Sequence, residues 1–174
     1  MVIWLVGMSG AGKTTIGNKL YKESKKELSN IITIDGDDIR HIFAHNDKRQ
    51  SYSVQARYEN AKRIQNICLW LDQQDINVIC SILCIFPEIL NENKGIFSKY
   101  YEIFLDASLK ELQQRDTKGL YAEASEGKIK NVVGLDIEFP VPENPNLHIK
   151  TDEDRSAEEI TKYIYKRVSK HFTL

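Results

Sequence analysis

A lysine and a threonine stand side by side at the end of a glycine-rich run near the N-terminus. The run reads GMSGAGKT over residues 7–14 and matches the pattern G-x-x-x-x-G-K-[ST]. In this pattern backbone N–H groups cradle phosphates, the lysine bridges the β- and γ-phosphates, and the hydroxyl is a ligand of Mg²⁺. The spacing therefore predicts a site for ATP and Mg²⁺. It is made by Gly7, Ser9, Gly10, Ala11, Gly12, Lys13, Thr14 and Thr15.

Two carboxylates follow the second apolar segment of the chain, at Asp35 and Asp37. Phosphoryl transfer needs a metal held in place and a group that takes the proton of the attacking hydroxyl. Carboxylates can do both. The sequence Asp-Gly-Asp is also good turn chemistry, so a purely structural interpretation competes. The nearby phosphate loop favours the functional interpretation.

Two arginines and an amide could bind the group that accepts the phosphate. Arg40 comes three residues after Asp37, and Arg57 and Asn60 have the same i, i+3 relation, which places each pair on one helical face. Guanidinium groups bind phosphate and carboxylate oxygens in a fork geometry. Each arginine alone is typical of a solvated surface, but the set indicates an anionic acceptor that also carries hydroxyls.

The elements that hold these residues alternate between apolar strands and amphipathic helices. We predict helices over residues 14–27 and 39–43 and from Ser53, with capping boxes at Ser108 and Ser156 for two more. Alternating strands and helices give a parallel sheet covered on both faces. We therefore predict an α/β fold of the P-loop NTPase, nucleotide-kinase-like class, with a five-stranded sheet. Its strands span residues 2–6, 31–34, 76–81, 101–105 and 147–149.

Between residues 116 and 145 the apolar periodicity fades, and Gly, Pro, Lys and Glu dominate. Long stretches without a core pattern are usually functional loops or lids. We expect a lid that is mobile until both nucleotides bind. An ordinary surface insertion is the alternative.

Size and charge narrow the class of protein. The 174 residues with a net charge of -1 predict a single domain and argue against a nucleic-acid binder. No apolar run is long enough to cross a bilayer, so we expect no membrane contact. Three cysteines fit neither paired disulfides nor a zinc pattern, which favours a reduced, cytoplasmic protein. Small-molecule nucleotides are the expected partners, and a homodimer is left open.

The chain resembles the adenylylsulfate (APS) kinase family, which phosphorylates the ribose 3′-hydroxyl of adenosine 5′-phosphosulfate with MgATP. The resemblance spans nearly the whole chain. It is carried by GMSGAGKTT from residue 7, IDGDDIRH from residue 34, the pair Arg57 and Asn60, RDTKGLYAEASEGKIK at 115–130 and GLDIEFPVPENPNL at 134–147.

The resemblance implies roles for individual residues. Asp37 is the base near the acceptor hydroxyl, while Asp35 and Thr14 organise the metal. Lys118 reaches the phosphates from the lid and is catalytic with Lys13 and Asp37, and Arg115 lies near the ATP adenine. The implied acceptor site consists of Asp37, Arg40, Tyr52, Arg57, Asn60, Ser81, Ile82, Leu83, Lys118, Gly119, Leu120 and Val132.

The departures from the family pattern all fall on the acceptor side. Asp38 replaces an Asn, the segment 81–87 lacks a Ser and an Arg, and Val132 replaces a Phe that would cover the adenine of APS. Tyr52 stays where the other aromatic would stack. Because one aromatic face is worth about 1–3 kcal/mol of stacking, we expect a smaller base.

These departures leave three functions open. A kinase resembling this chain acts on cytidine diphosphoramidate in capsule phosphoramidate synthesis, and we favour that acceptor, with Val132→Phe expected to restore a preference for APS. The alternatives are an APS kinase that makes 3′-phosphoadenylylsulfate (PAPS) in sulfate assimilation, and a non-catalytic nucleotide-binding regulator.

Overall fold

Five parallel strands form one sheet at the centre of the molecule, a computed structural model that describes residues 1–43, 52–116, 119–152 and 155–172. The strands are β1 (Val2–Val6), β2 (Ile31–Asp35), β3 (Asn77–Ile82), β4 (Tyr100–Asp106) and β5 (Leu147–Lys150). Their order is β2-β3-β1-β4-β5, and each neighbouring pair is parallel. The predicted fold class is confirmed.

Helices cover both faces of the sheet. They are α1 (Lys13–Ser24), α2 (Gly36–Phe43), α3 (Val54–Asp72), α4 (Pro87–Ile96), α5 (Leu109–Gln114), α6 (Leu120–Ser125) and α7 (Ala157–Val168), followed by a 3₁₀ turn at Ser169–His171. In the described part of the chain, every helix is too short or too polar to span a bilayer.

The central strand β1 is buried along its whole length between β3 and β4. Successive side chains of a strand point to opposite faces. Ile3 and Leu5 accordingly enter the core beneath α1 and α7, whereas Trp4 and Val6 enter the core beneath α3 and α4. The phosphate loop therefore begins at the end of a fully buried strand in the centre of the sheet.

Helices α2 and α4 differ from the sequence prediction. Helix α2 begins at Gly36 instead of residue 39, because the Asp35 carboxylate accepts the Asp37 N–H at 2.9 Å and caps an earlier start. Helix α4 was not predicted. Its signal is Pro87 at the first turn, where a fixed φ suits a helix, with Ile89 and Leu90 buried beneath it.

Of the two predicted capping boxes, one is complete. The Ser156 hydroxyl accepts the Glu159 N–H, and the Glu159 carboxylate accepts the Ser156 N–H. The Ser108 hydroxyl also accepts the N–H of Glu111. Its reciprocal half is missing because the Glu111 side chain pairs with Arg115 and the Ser108 N–H donates to Asp152 instead.

The segment 116–145 is more ordered than its sequence pattern suggests. It contains α6 and a bridge between Val133 and Ile137, and the side chains of Tyr121 and Val132 are buried. A six-residue helix is too short to show a periodicity, which is why the sequence missed it. Its mobility stays a prediction.

All three cysteines are free thiols in the core: Cys68 on α3, Cys80 in β3 and Cys84 just after β3. Burial raises the pKa of Cys80 and raises the pKa of Cys84 to about 12. The thiols of Cys80 and Cys84 are therefore protonated in the folded protein.

Candidate active site

A cavity of about 1170 Å³ opens at the carboxyl ends of the strands. Its walls come from the phosphate loop, the ends of β2 and β3, helix α5 and the segment after it. Positive side chains outnumber negative ones in this wall, although the chain as a whole carries a net charge of -1, so the cavity attracts anions. The cations are Lys13, Arg40, Arg57, Arg115, Lys128, Lys130 and Arg155, and the acids are Asp35, Asp37, Asp116 and Glu123.

The phosphate loop curls tightly between β1 and α1. Gly12 has a φ of +89°, a left-handed conformation that favours glycine. A Cβ at Gly7 would lie 2.4 Å from the carbonyl oxygen of Leu105, so no larger residue fits there. The Lys13 ammonium donates to the carbonyl oxygen of Met8 at 2.7 Å. Gly7 does not line the cavity, whereas the other predicted loop residues do. These are Ser9, Gly10, Ala11, Gly12, Lys13, Thr14 and Thr15.

The structure brings the two predicted metal ligands together. The Thr14 hydroxyl donates to Asp35 Oδ2 at 2.7 Å, and Asp35 Oδ1 accepts the N–H of Asp37 at 2.9 Å. Hydroxyl and carboxylate oxygens are suitable ligands for Mg²⁺, which usually takes one or two protein carboxylates and completes its shell with phosphates and water. Within the described residues no three acidic, His or Cys side chains cluster as a metal site.

Asp37 lies between this pair and the acceptor side. Its carboxylate forms an ion pair with Arg40, with 2.9 Å between Arg40 Nη1 and Asp37 Oδ1. The side chain of Asp37 is more than half exposed to the cavity, while that of Arg40 is mostly buried. Asp37 can therefore reach a bound hydroxyl while Arg40 stays fixed beside it.

Arg57 is held by carbonyl oxygens from two distant parts of the chain. Its Nε donates to Tyr52 at 3.1 Å and its Nη2 to Asn131 at 3.0 Å. Burial, followed by the nearby positive charge of Arg40, lowers the pKa of Arg57 to about 10. The centre of the Tyr52 ring lies 5.3 Å and 5.4 Å from the guanidinium carbons of Arg40 and Arg57, within cation–π range.

Asn60 lies behind the cavity wall. Its Nδ2 donates to the carbonyl oxygen of Gly36 at 3.2 Å, which ties α3 to the first turn of α2. Asn60 thereby supports the position of Asp37 from below. The Ser81 hydroxyl donates to the carbonyl oxygen of Lys13 at 3.2 Å, while Ser81, Ile82 and Leu83 all line the cavity.

The other end of the cavity contains the residue predicted to lie near adenine. Arg115 lines this wall, and its guanidinium binds Glu111 and, at 2.7 Å, the carbonyl oxygen of Thr151. Sequence reasoning missed the neighbours of Arg115. They follow the last strand at its carboxyl end, so the strand-end rule could have found them. They are Thr151, Arg155, Ala157 and Ile160.

The lid residues are divided between wall and core. Leu120 and Tyr121 line the cavity, whereas Gly119 does not. Val132, expected to face the base, is 2% exposed and packs in the core beneath α1, and Val133, equally buried in the core beneath α3, contributes to the cavity wall. The reason is a turn in which the Asp136 carboxylate accepts the N–H groups of residues 131 and 132. Lys118 lies outside the described residues.

Comparisons with known proteins agree with this geometry. The profile of the adenylylsulphate kinase family matches residues 1–150. The chain is 39% identical over 168 residues to the cytidine diphosphoramidate kinase of Campylobacter jejuni, covering 97% of this chain and 96% of that protein. It is 34% identical to the adenylyl-sulfate kinase of Gloeothece citriformis, with coverages of 95% and 93%. The solved Mycobacterium tuberculosis APS kinase CysC, in complex with AMPPNP and APS, superposes with a TM-score of 0.83 at 26% identity, covering 97% of this chain and 96% of that one.

Proposed function

The chain belongs to the adenylylsulphate kinase family and is a P-loop kinase, and from this premise we propose that it phosphorylates the ribose 3′-hydroxyl of a small nucleotide anhydride with ATP as donor. The preferred acceptor is cytidine diphosphoramidate. A single kinase domain of residues 1–174 carries this activity, with a lid that closes over both nucleotides.

One series of contacts carries the proposal. It runs from the Thr14 hydroxyl through both oxygens of Asp35 to Asp37, and from the Asp37 carboxylate to Arg40. The phosphate end and the acceptor end of the cavity are thus joined within a few bonds. In-line transfer needs the donor phosphate and the acceptor oxygen close together, and this series supports that arrangement.

Each residue in the series has a separate task. Lys13 stabilises charge on the β- and γ-phosphates after exchanging the Met8 carbonyl oxygen for phosphate oxygens. The Asp37 carboxylate takes the proton of the ribose hydroxyl. Arg40 and Arg57 hold the anionic 5′ group of the acceptor.

Thr14 and Asp35 fit Mg²⁺ by their oxygen donor set and would hold it together with the nucleotide. When bound, Mg²⁺ neutralises the charge that develops on the phosphates.

The acceptor side supports a base smaller than adenine. Where APS kinases have a Ser and an Arg after β3, this chain has Cys84, whose thiol is buried, and Pro87, in the first turn of α4. At position 132 it has a buried Val in place of the Phe that the family pattern implies. The identity to a cytidine diphosphoramidate kinase is in line with this acceptor. The matches to adenylyl-sulfate kinases keep APS as the second candidate.

An assay of ADP release with both acceptors tests the proposal. We expect a higher specificity constant for cytidine diphosphoramidate than for APS, with product phosphorylated at the 3′ position. Equal or greater efficiency with APS would make this a PAPS-forming enzyme. ADP release with neither would favour the regulator.

We also propose a reducing, cytoplasmic location, supported by the three free thiols. A homodimer stays a proposal, and the mass of the protein in solution tests it.

A further inference from the structure

Tyr121 lies in α6, called the lid helix below, and hydrogen bonds hold both its backbone and its side chain. Its backbone N–H donates to Asp116 Oδ2 at 2.7 Å, and its hydroxyl donates to the carbonyl oxygen of Ser9, in the phosphate loop, at 3.0 Å. The side chain is 3% exposed. Burial, with the nearby Asp116, raises the pKa of Tyr121 to about 12, so the hydroxyl keeps its proton and acts as a donor.

Asp116 makes the lid end of this connection rigid. Its two carboxylate oxygens accept the N–H groups of Leu120, Tyr121 and Ala122. A carboxylate that accepts several N–H groups at the first turn of a helix also interacts favourably with the helix dipole. The start of α6 is therefore anchored to the end of α5, and Tyr121 extends from that anchor to the phosphate loop.

The bond at Ser9 fixes the direction of one particular peptide group. In a trans peptide the carbonyl oxygen and the following N–H point in opposite directions. Holding the Ser9 carbonyl oxygen against Tyr121 therefore turns the N–H of Gly10 away from the lid helix. Gly10 has a φ of +81°, and glycine permits several backbone conformations at little cost, so this peptide needs an external contact to keep one orientation.

A second contact of the lid on the same loop supports this coupling. A Cβ placed on Gly134 would lie 3.0 Å from the sulfur of Met8, so the turn after the lid helix packs closely against the loop. The carbonyl oxygen of Ser9, the residue after Met8, accepts from Tyr121. The segment after α5 thus contacts two successive residues of the loop, and the bond of Tyr121 to Ser9 can persist when Lys13 moves to phosphate.

We propose, resting on the use of this loop for ATP set out above, that Tyr121 is a positioning residue that couples the lid to the phosphate loop by holding the Ser9–Gly10 peptide in its phosphate-binding orientation. Tyr121 acts through the loop, so its effect depends on the β-phosphate of the nucleotide. This effect does not depend on which acceptor the enzyme uses.

Binding of ADP and of adenosine to the full chain, measured by titration calorimetry, tests this coupling. Tyr121→Phe keeps the ring and removes the hydroxyl. We expect the Kd for ADP to rise about two- to tenfold, as for the loss of one neutral hydrogen bond, and the Kd for adenosine to stay unchanged. Asp116→Asn weakens the anchor and leaves the hydroxyl in place, and it should show the same dependence on phosphate.

Tyr100→Phe is the matched control, because the Tyr100 hydroxyl also makes a buried hydrogen bond, at 2.8 Å to Glu102, at the end of β4 away from the cavity. It should lower Tm without changing the Kd for ADP. Wild-type ADP affinity in Tyr121→Phe, or an equal loss for ADP and adenosine, would overturn the inference. Absence of turnover with both acceptors would instead overturn the proposed function, while the ADP comparison stays valid.

Discussion

The two ends of the cavity, assigned above to the donor and to the acceptor, are built by different means. The donor half is built largely from backbone, within eight successive residues that follow the central strand. The acceptor half is built from side chains of separate elements, such as Arg57, whose guanidinium binds a carbonyl oxygen 74 positions away at Asn131. Backbone N–H groups are the same for every residue type, whereas a side-chain pocket changes with each substitution. The acceptor half can therefore vary while the donor half stays constant.

Lys13→Ala is expected to break the donor half most completely. Loss of a cation on the transferring phosphoryl group should lower kcat by about 10³–10⁵-fold, with the fold retained. Turnover and thermal unfolding measure the two effects. Lys19→Ala is the control on the same helix, because Lys19 only forms a surface ion pair with Glu158. Wild-type rates in Lys13→Ala would remove the phosphate-loop interpretation.

Asp37→Asn tests the point where the halves meet. The change keeps the shape but removes the proton acceptor, so kcat should fall by about 10²–10⁴-fold while the affinity for MgATP changes little. His41→Gln, further along α2 and exposed, should leave kcat unaltered. If MgATP binding collapses in Asp37→Asn, the roles of Asp35 and Asp37 must be exchanged.

Arg57→Lys should damage the acceptor half alone. Lysine keeps the charge but cannot donate at once to the carbonyl oxygens of Tyr52 and Asn131. We expect the KM for the acceptor to rise about 10–100-fold, because a hydrogen bond to a charged group is worth about 1.5–3 kcal/mol. The Kd for ATP should stay constant. Arg63→Lys on the same helix, where Arg63 lies over the ring of Phe43, provides the control. A parallel loss of ATP affinity would mean that the halves are not separable.

Two adjacent valines refine the acceptor half further. Val133 is 2% exposed but contributes to the cavity wall, so Val133→Phe should shift the ratio of specificity constants toward APS by about tenfold, since stacking is worth about 1–3 kcal/mol per base. Val132 is equally buried and lies outside the wall. Both substitutions should therefore lower the free energy of unfolding by about 1–3 kcal/mol through overpacking, and only Val133→Phe should change the ratio. The ratio of the specificity constants for the two acceptors does not depend on the fraction of enzyme that is folded and active, so a loss of stability alone does not change it. A shift caused by residue 132 and not by 133 would restore the role expected from the sequence.

The strand, glycine-rich loop and helix around Lys13 could be predicted because their signal is local. The glycines, Lys13 and Thr14 lie in one run between a strand and a helix, and the fold class followed from the alternation of such elements. The contact of Asp35 with Thr14 was also within reach, since β1 and β2 end at the same edge of the sheet, with only β3 between them.

The acceptor half was harder because its geometry depends on long-range contacts. Nothing local distinguishes Val132 from Val133: both side chains are 2% exposed, and of the two only Val133 contributes to the cavity wall. The outcome depends on the turn closed by Asp136. Helix α6 was missed for a related reason, because Asp116 stabilises it from outside its own six residues.

The three thiols in the core have a practical consequence. Alkylating reagents attack the thiolate, which is scarce here because the pKa of Cys84 is about 12 and that of Cys80 is also raised. The rate of alkylation should therefore measure how often the chain opens far enough to expose a thiol. A ligand that binds the folded form lowers the open population by the factor 1 + [L]/Kd. The rate of alkylation then gives the affinity of any nucleotide, including one that the enzyme binds without phosphorylating.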